Sequence, residues 1–320
     1  MPTPHCVGGF RRRALLPTCL FLTAWSLESR LNADSVYATL VNSGQIIKYD
    51  SQGNGTIYGS GLSFPYGVAV DASGSVYGAS TGATPVRKYT SAGGGGAVFS
   101  TAPSGFYAGG YGMEFDSAGN LYLAASQQIH KIAPDGTRTM LADFGPNGAN
   151  ILDLTVTASG NILAVDNRNQ KVVQITPGGT VSDFVTSIGG TSGPAGIAVD
   201  SAGFVYVGLP GSQLVERFSS AGADLGAYVT GVNHPYGLAF DSGNNLYVAD
   251  YFAGPNGGGA IFKVDPQGNR TLFAENADNI YDVTVQLDAV AAVPEASTWG
   301  AIGCLGMAAG LGFWRRVRAS

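Results

Sequence analysis

The stretch GLAFDSGNNLYVAD, Gly237 to Asp250, holds two short apolar runs joined by a polar turn. Each run mixes small or branched residues with an aromatic one and lacks helical spacing, so each reads as a β-strand. Between them DSGN is turn chemistry: the aspartate carboxylate accepts nearby backbone N–H groups, and glycine or asparagine tolerates positive φ. Both halves recur along the chain. The second returns as SVYAT at Ser35, SVYGA at Ser75, NLYLA at Asn120, NILAV at Asn161 and FVYVG at Phe204. The first returns as GVAVD at Gly67, GMEFD at Gly112, DLTVT at Asp153, GIAVD at Gly196 and DVTVQ at Asp282.

With Gly237 in its place, successive starts of the first pattern lie 45, 41, 43, 41 and 45 residues apart. A period of this length, built from short strands and Asp-x-x-Gly turns, is the blade spacing of a β-propeller, and six copies mean six blades. Each full unit reads as four strands. After the two already quoted come a strand such as IIKYD, IHKIA or IFKVD and an outer strand such as TMLAD or TLFAE. The predicted fold is all-β, a six-bladed β-propeller over residues 34–290. The chain opens on a second strand at Ser35 and ends the repeats on a first strand at Asp282, so one blade must be assembled by pairing the N- and C-terminal strands, which removes two open edges.

Composition fits this reading. Glycine is 48 of 320 residues and charged residues are 12%, against a typical ~25%, which marks a turn-rich β chain. Seven of the 17 basic residues lie in the two ends, which leaves 10 basic and 20 acidic residues between 34 and 293, a net of -10. Such a body repels phosphate backbones and excludes nucleic acid as a partner. Cys6, Cys19 and Cys304 also sit in the ends, so the repeats contain no disulfide.

The ends read as processing signals. Arg11 to Arg13 precede the apolar run Ala14 to Trp25, and the small residue Ala33 stands before Asp34, the layout of a signal peptide over residues 1–33. At the other end VPEASTW, residues 293–299, leads into the apolar stretch 300–314 and the basic end 315–318. This order over residues 291–320 resembles the PEP-CTERM sorting tail of bacterial exported proteins. The motif is Val293, Pro294, Glu295 and Ala296, with alanine where the namesake has a second proline. The resemblance implies export, a transient transmembrane helix in the inner membrane, and processing by an exosortase-type membrane enzyme in cells that make exopolysaccharide. Arg315, Arg316 and Arg318 set the orientation, cytoplasmic under the positive-inside rule. At about sixteen residues the span is short of the ~20 that a permanent anchor needs.

Within the repeats, P-x-G-[IV]-A-V-D followed by [LV]-Y-V-A-D, and above all LAVDNRNQKVVQI from Leu163 to Ile175, resembles NHL repeats and the related gluconolactonase-like six-bladed propellers. Gluconolactonase-like propellers hold a divalent ion on the axis, which the resemblance extends to this chain as a possible Ca²⁺ or Mg²⁺ site. Two blades replace the glycine that starts the inner strand by aspartate, in the near-duplicates NILDLTV and NIYDVTV. These blades are third neighbours, opposite each other across the axis. Asn150, Asp153, Asn279 and Asp282 are thus expected to converge at the channel mouth, with His234 on an equivalent loop and Asp166 and Asp250 ending second strands on the same face. Glu114 points from an inner strand at a deeper level. Oxygen ligands from opposed blades can hold Ca²⁺ or Mg²⁺ or hydrogen-bond a sugar; the alternative is that they line a wet channel and cap its loops. Tyr66, Tyr111, Tyr236 and Tyr281 precede four inner strands, either to stack on sugar faces or to pack between blades.

With two histidines and no cysteine in the repeats there is no zinc set, and no G-x-S-x-G or H-E-x-x-H motif occurs. The sequence therefore predicts an exported envelope or extracellular-matrix module, binding or structural rather than enzymatic, with exopolysaccharide or envelope proteins as partners. The alternative is a divalent-metal-dependent lactonase or lyase of the gluconolactonase-like propeller class. A scaffold for protein partners is the third possibility.

Overall fold

The structure is a computed structural model and describes residues 34–80, 86–101, 111–146, 148–190 and 192–287. The signal peptide, the sorting motif, the apolar stretch 300–314 and the terminal arginines lie outside the described residues. No helix of the described residues is long and apolar enough to cross a membrane.

Among the described residues, twenty-four strands form six four-stranded antiparallel sheets. Blade 1 joins Ser35–Leu40, Gln45–Tyr49 and Gly55–Gly59 with Ile280–Gln286 from the far end of the repeats. Blades 2 to 6 follow in chain order, with inner strands Pro65–Val70, Met113–Phe115, Ile151–Val156, Ile197–Val199 and Pro235–Phe240. In blade 1, Ile280–Gln286 pairs antiparallel with Ser35–Leu40, from Ser35 opposite Gln286 to Leu40 opposite Ile280. Each inner strand contacts the next around the axis, and Ile280–Gln286 touches the inner strands of both blade 2 and blade 6.

The second strands explain the repeat's most regular letters. Val76–Ser80, Leu121–Ala125, Ile162–Asp166, Val205–Leu209 and Leu246–Asp250 are buried at every position, because a neighbouring blade covers each face. Strands enclosed on both faces read as continuous apolar runs rather than alternating ones. Outer strands start exposed, as in Gly55–Gly59 and Val181–Val185. The core is a set of interblade clusters, such as Leu163, Val165, Ile197, Val205 and Phe218 between blades 4 and 5. The turns after the inner strands close on their own aspartates: Asp71 accepts Ser73 and Ser75 N–H, and Asp116 accepts Ala118 and Asn120 N–H. Blade 6 places Asn244 at φ 62°, where the other turns of this kind use glycine.

The inner strands crowd the axis where each begins. A Cβ on Gly67 or Gly196 would lie 2.0 Å from the carbonyl oxygen of Tyr111 or Tyr236 in the next blade. On Gly112 it would lie 1.6 Å from Asp153 Oδ1. In ring order from blade 1 this position runs Asp282, Gly67, Gly112, Asp153, Gly196, Gly237, a pattern repeated after half a turn. Overpacking a rigid site of this kind costs about 1–3 kcal/mol. Gly112→Ala should lower the melting temperature by about 5 °C or more, while Gly95→Ala, whose Cβ meets nothing within 4 Å, leaves it unchanged. Differential scanning calorimetry of the two variants reads this, and equal melting temperatures would contradict the crowding.

Candidate functional site

The loops that enter the inner strands define the channel mouth. There the structure ties several expected site residues into loop architecture. Asp166, 1% exposed, accepts the N–H groups of Asn150 and Asn169 and the side-chain amide of Asn169. Asp250, fully buried, accepts the N–H groups of Asn233 and His234. The Asn279 amide donates to the Tyr251 and Gly257 carbonyls, and its oxygen accepts from Asn42. Asn150 meets Ser126 at 3.3 Å. These four residues hold the mouth loops and do not converge with the two inner-strand aspartates.

Asp153 and Asp282 sit lower and form staples between blades. Asp153 accepts Ile197 N–H of blade 5 at 2.9 Å and Leu154 N–H at 2.8 Å. Asp282 accepts Val68 N–H of blade 2 at 2.8 Å and Val283 N–H at 2.9 Å. Glu114, two positions further along its strand, accepts Val156 N–H of blade 4 at 2.9 Å. All three line an axial cavity of about 460 Å³ that runs to the turns at Ser201, Ser242 and Asn244, away from the mouth. No lysine, arginine or histidine is among the described residues lining it.

Burial without a counter-cation raises all three carboxyls. Glu114 is pushed up to about 7 by burial, against the pull of its bonds to Thr155 and Val156. Burial also raises Asp153 and Asp282; the charge of Asp282 raises Asp153 further, and that of Glu114 raises Asp282. Both oxygens of each aspartate accept a backbone N–H, and among the described residues no group of three or more His, Cys, Asp or Glu is placed to hold a metal ion. The residues present therefore do not fit an axial Ca²⁺ or Mg²⁺, because Asp153, Asp282 and Glu114 each hold a neighbouring strand and no three such groups are gathered round one point among the described residues.

The mouth itself is aromatic over four adjacent blades. Tyr111 stacks on Tyr66 at 5.8 Å, Tyr66 meets Tyr281 at 4.3 Å, and Tyr281 stacks on Tyr236 at 4.7 Å. Leu152 and Ala195 take the equivalent positions in blades 4 and 5, so the ring of tyrosines is a crescent. Tyr251 stands edge-on to Tyr236 at 5.6 Å, and His234 lies flat beside Tyr236 and edge-on to Phe252. Burial raises the Tyr111, Tyr236 and Tyr281 hydroxyls, most strongly Tyr281. His234 Nδ1 has no hydrogen-bond partner among the described residues. Phe252 is 46% exposed, and Phe64, on a loop of the same face, is 53% exposed at φ 47°. Left-handed backbone costs a bulky residue about 1–2 kcal/mol, so an exposed aromatic is held here at a cost. Tyr251, Phe252 and Phe64 had no signal in the repeat pattern, because they follow or precede the strands that carry it.

No protein-family model matches the chain, and no curated protein sequence matches it. Solved structures do match in fold. The nidogen/laminin complex aligns at TM-score 0.65 and 16% identity over 79% of this chain and 98% of that one. A catalytically inactive virginiamycin B lyase from Staphylococcus aureus with quinupristin aligns at TM-score 0.57 and 15% identity over 76% and 85%. A gluconolactonase from Xanthomonas campestris aligns at TM-score 0.56 and 14% identity over 79% and 88%. At such identities the likeness defines the class by fold alone, a six-bladed β-propeller.

A carboxyl raised in the fold keeps a proton that the unfolded chain has released, so its stabilisation is complete below the ordinary carboxylate range and is lost as pH rises through about 7. The melting temperature should therefore fall between about pH 5 and pH 8. Glu114→Gln should flatten part of that slope, as read by thermal scans across pH. An unchanged slope in the variant would contradict the assignment.

Proposed function

We propose that the chain is an exported binding module whose aromatic mouth takes carbohydrate, with exopolysaccharide of the cell envelope or matrix as the partner. The observation that carries this reading is the crescent of Tyr111, Tyr66, Tyr281 and Tyr236, four rings side by side on one rim. Aromatic faces stack on the C–H faces of sugar rings. In this reading the NHL-like ring is shut by its terminal strands and is carried out of the cell by the signal peptide over 1–33. The PEP-CTERM-like tail then holds it in the inner membrane until an exosortase-type enzyme cuts near Pro294 and Glu295, and Arg315, Arg316 and Arg318 keep the end cytoplasmic.

A second reading is a lactonase or lyase. It is favoured by one observation: Glu114, titrating at about 7 inside the axial cavity, suits general acid–base work. The divalent ion that such propellers use finds no gathered ligand set here, so the binding reading stands first.

The test uses protein recovered from the exporting cell. Its mass should place the C-terminus near Glu295, and its affinity for exopolysaccharide fragments, read by titration calorimetry, should fall about three- to tenfold in Tyr66→Ala and again in Tyr236→Ala. Unaltered affinity in both variants, or turnover of a lactone by the wild type, would overturn the reading.

A further inference from the structure

Five blades fill one interblade position in the same way. A second-strand tyrosine pairs in register with a third-strand cation: Tyr37 with Lys48, Tyr77 with Lys88, Tyr122 with Lys131, Tyr206 with Arg217, and Tyr247 with Lys263. The cation lies 5.0 to 5.8 Å from the ring centroid in all five. The phenol hydroxyl finds a polar partner at the end of the inner strand or beside it. Tyr77, Tyr122 and Tyr206 donate to Asp71, Asp116 and Asp200, Tyr37 donates to Gln286, and Lys263 bridges Tyr247 to Asp241. In four of the five an outer-strand aromatic meets the ring edge-on, as in Tyr77 with Phe99 at 4.9 Å and Tyr247 with Phe273 at 5.0 Å, while the outer strand of blade 3, RTMLAD, has no aromatic.

Blade 4 keeps the frame and lacks the filling. At the same register Leu163 replaces the tyrosine and Gln174 the cation, and Thr157 replaces the aspartate. Phe184, the outer-strand aromatic, remains. Between blades 4 and 5 lies a cavity of about 380 Å³ whose lining includes Leu163, Gln174, Phe184, Thr157, Ser159 and Val199, together with the carboxyl-bearing Glu114 and Asp200. That list holds the counterpart of every group that surrounds the ring in the other blades. Thr157 donates its hydroxyl hydrogen to the Asn161 carbonyl, and its oxygen lies 2.9 Å from Ser159 Oγ, so this end of the cavity offers hydroxyl oxygens to an incoming donor.

We propose that this slot binds a small phenol: one aromatic ring between Phe184 and Val199 with its hydroxyl on Thr157 and Ser159. The occupant replaces the side chain that blade 4 omits. It needs no charge, since Gln174 stands where the other blades place a cation. The site is separate from the aromatic mouth and does not depend on the carbohydrate reading.

The probes are p-cresol, which is the tyrosine side chain itself, and toluene, which lacks the hydroxyl. p-Cresol added to the purified chain should give intermolecular NOEs to Leu163 and Val199 methyls, and toluene should bind about tenfold more weakly. The variant Leu163→Tyr with Gln174→Lys restores the filling and should abolish p-cresol binding without lowering the melting temperature. NOEs confined to the mouth tyrosines, equal affinity for the two probes, or no binding at saturating p-cresol would overturn the proposal. Undiminished binding in the folded double variant would do the same. Should that variant not fold, the NOE pattern and the cresol-to-toluene ratio in the wild type still decide it.

Discussion

Crowding at the axis is the constraint from which the other features follow. Where six inner strands begin, the space beside each admits either no side chain or one that becomes part of its neighbour. Four blades take glycine there, and two take an aspartate whose carboxylate accepts the N–H of Val68 or Ile197, the residue after the next blade's glycine. A hydrogen bond of this kind contributes about 0.5–1.5 kcal/mol net, and a buried N–H left without one costs about 1–3 kcal/mol. The staples thus suit opposed positions in the ring, where blades 1 and 4 repeat each other as NIYDVTV and NILDLTV. The same close approach of the inner strands buries the carboxyls of Asp153 and Asp282 and brings the tyrosines just before the strands close enough to stack.

Most of the fold was legible in the sequence because it is periodic. The apolar second strands, the Asp-x-x-Gly turns and the spacing of the inner strands each depend on neighbours within one blade, so each left a local pattern. The candidate site was legible as letters and less so as roles. The substitution of aspartate for glycine at Asp153 and Asp282 stood out, and so did their opposition across the ring. Their partners did not, because a carboxylate reaching 44 residues ahead, from Asp153 to Ile197, leaves no mark in a local pattern. Asp166 and Asp250 likewise read as mouth oxygens, yet their lone pairs serve the loops beside them. Glu114 lacked any repeat signal, since the other inner strands carry alanine or threonine at its level.

The departures from the repeat gather in and beside blade 4. Blade 4 gives up the tyrosine, the cation and the aspartate that lock its neighbours, and a cavity opens at that point. Blades 4 and 5 also break the tyrosine rim with Leu152 and Ala195, so the aromatic crescent covers the opposite side of the mouth. Both gaps lie in or beside blade 4, one on the rim and one between the blades.

The account turns on the two aspartates being staples rather than ligands, and amide hydrogen exchange at Val68 and Ile197 reads this most directly. With the carboxylates holding these N–H groups, both amides should exchange among the slowest in the domain, at rates that calcium does not alter. Exchange as fast as in the loops without calcium, slowing when calcium is added, would make Asp153 and Asp282 metal ligands and contradict the account.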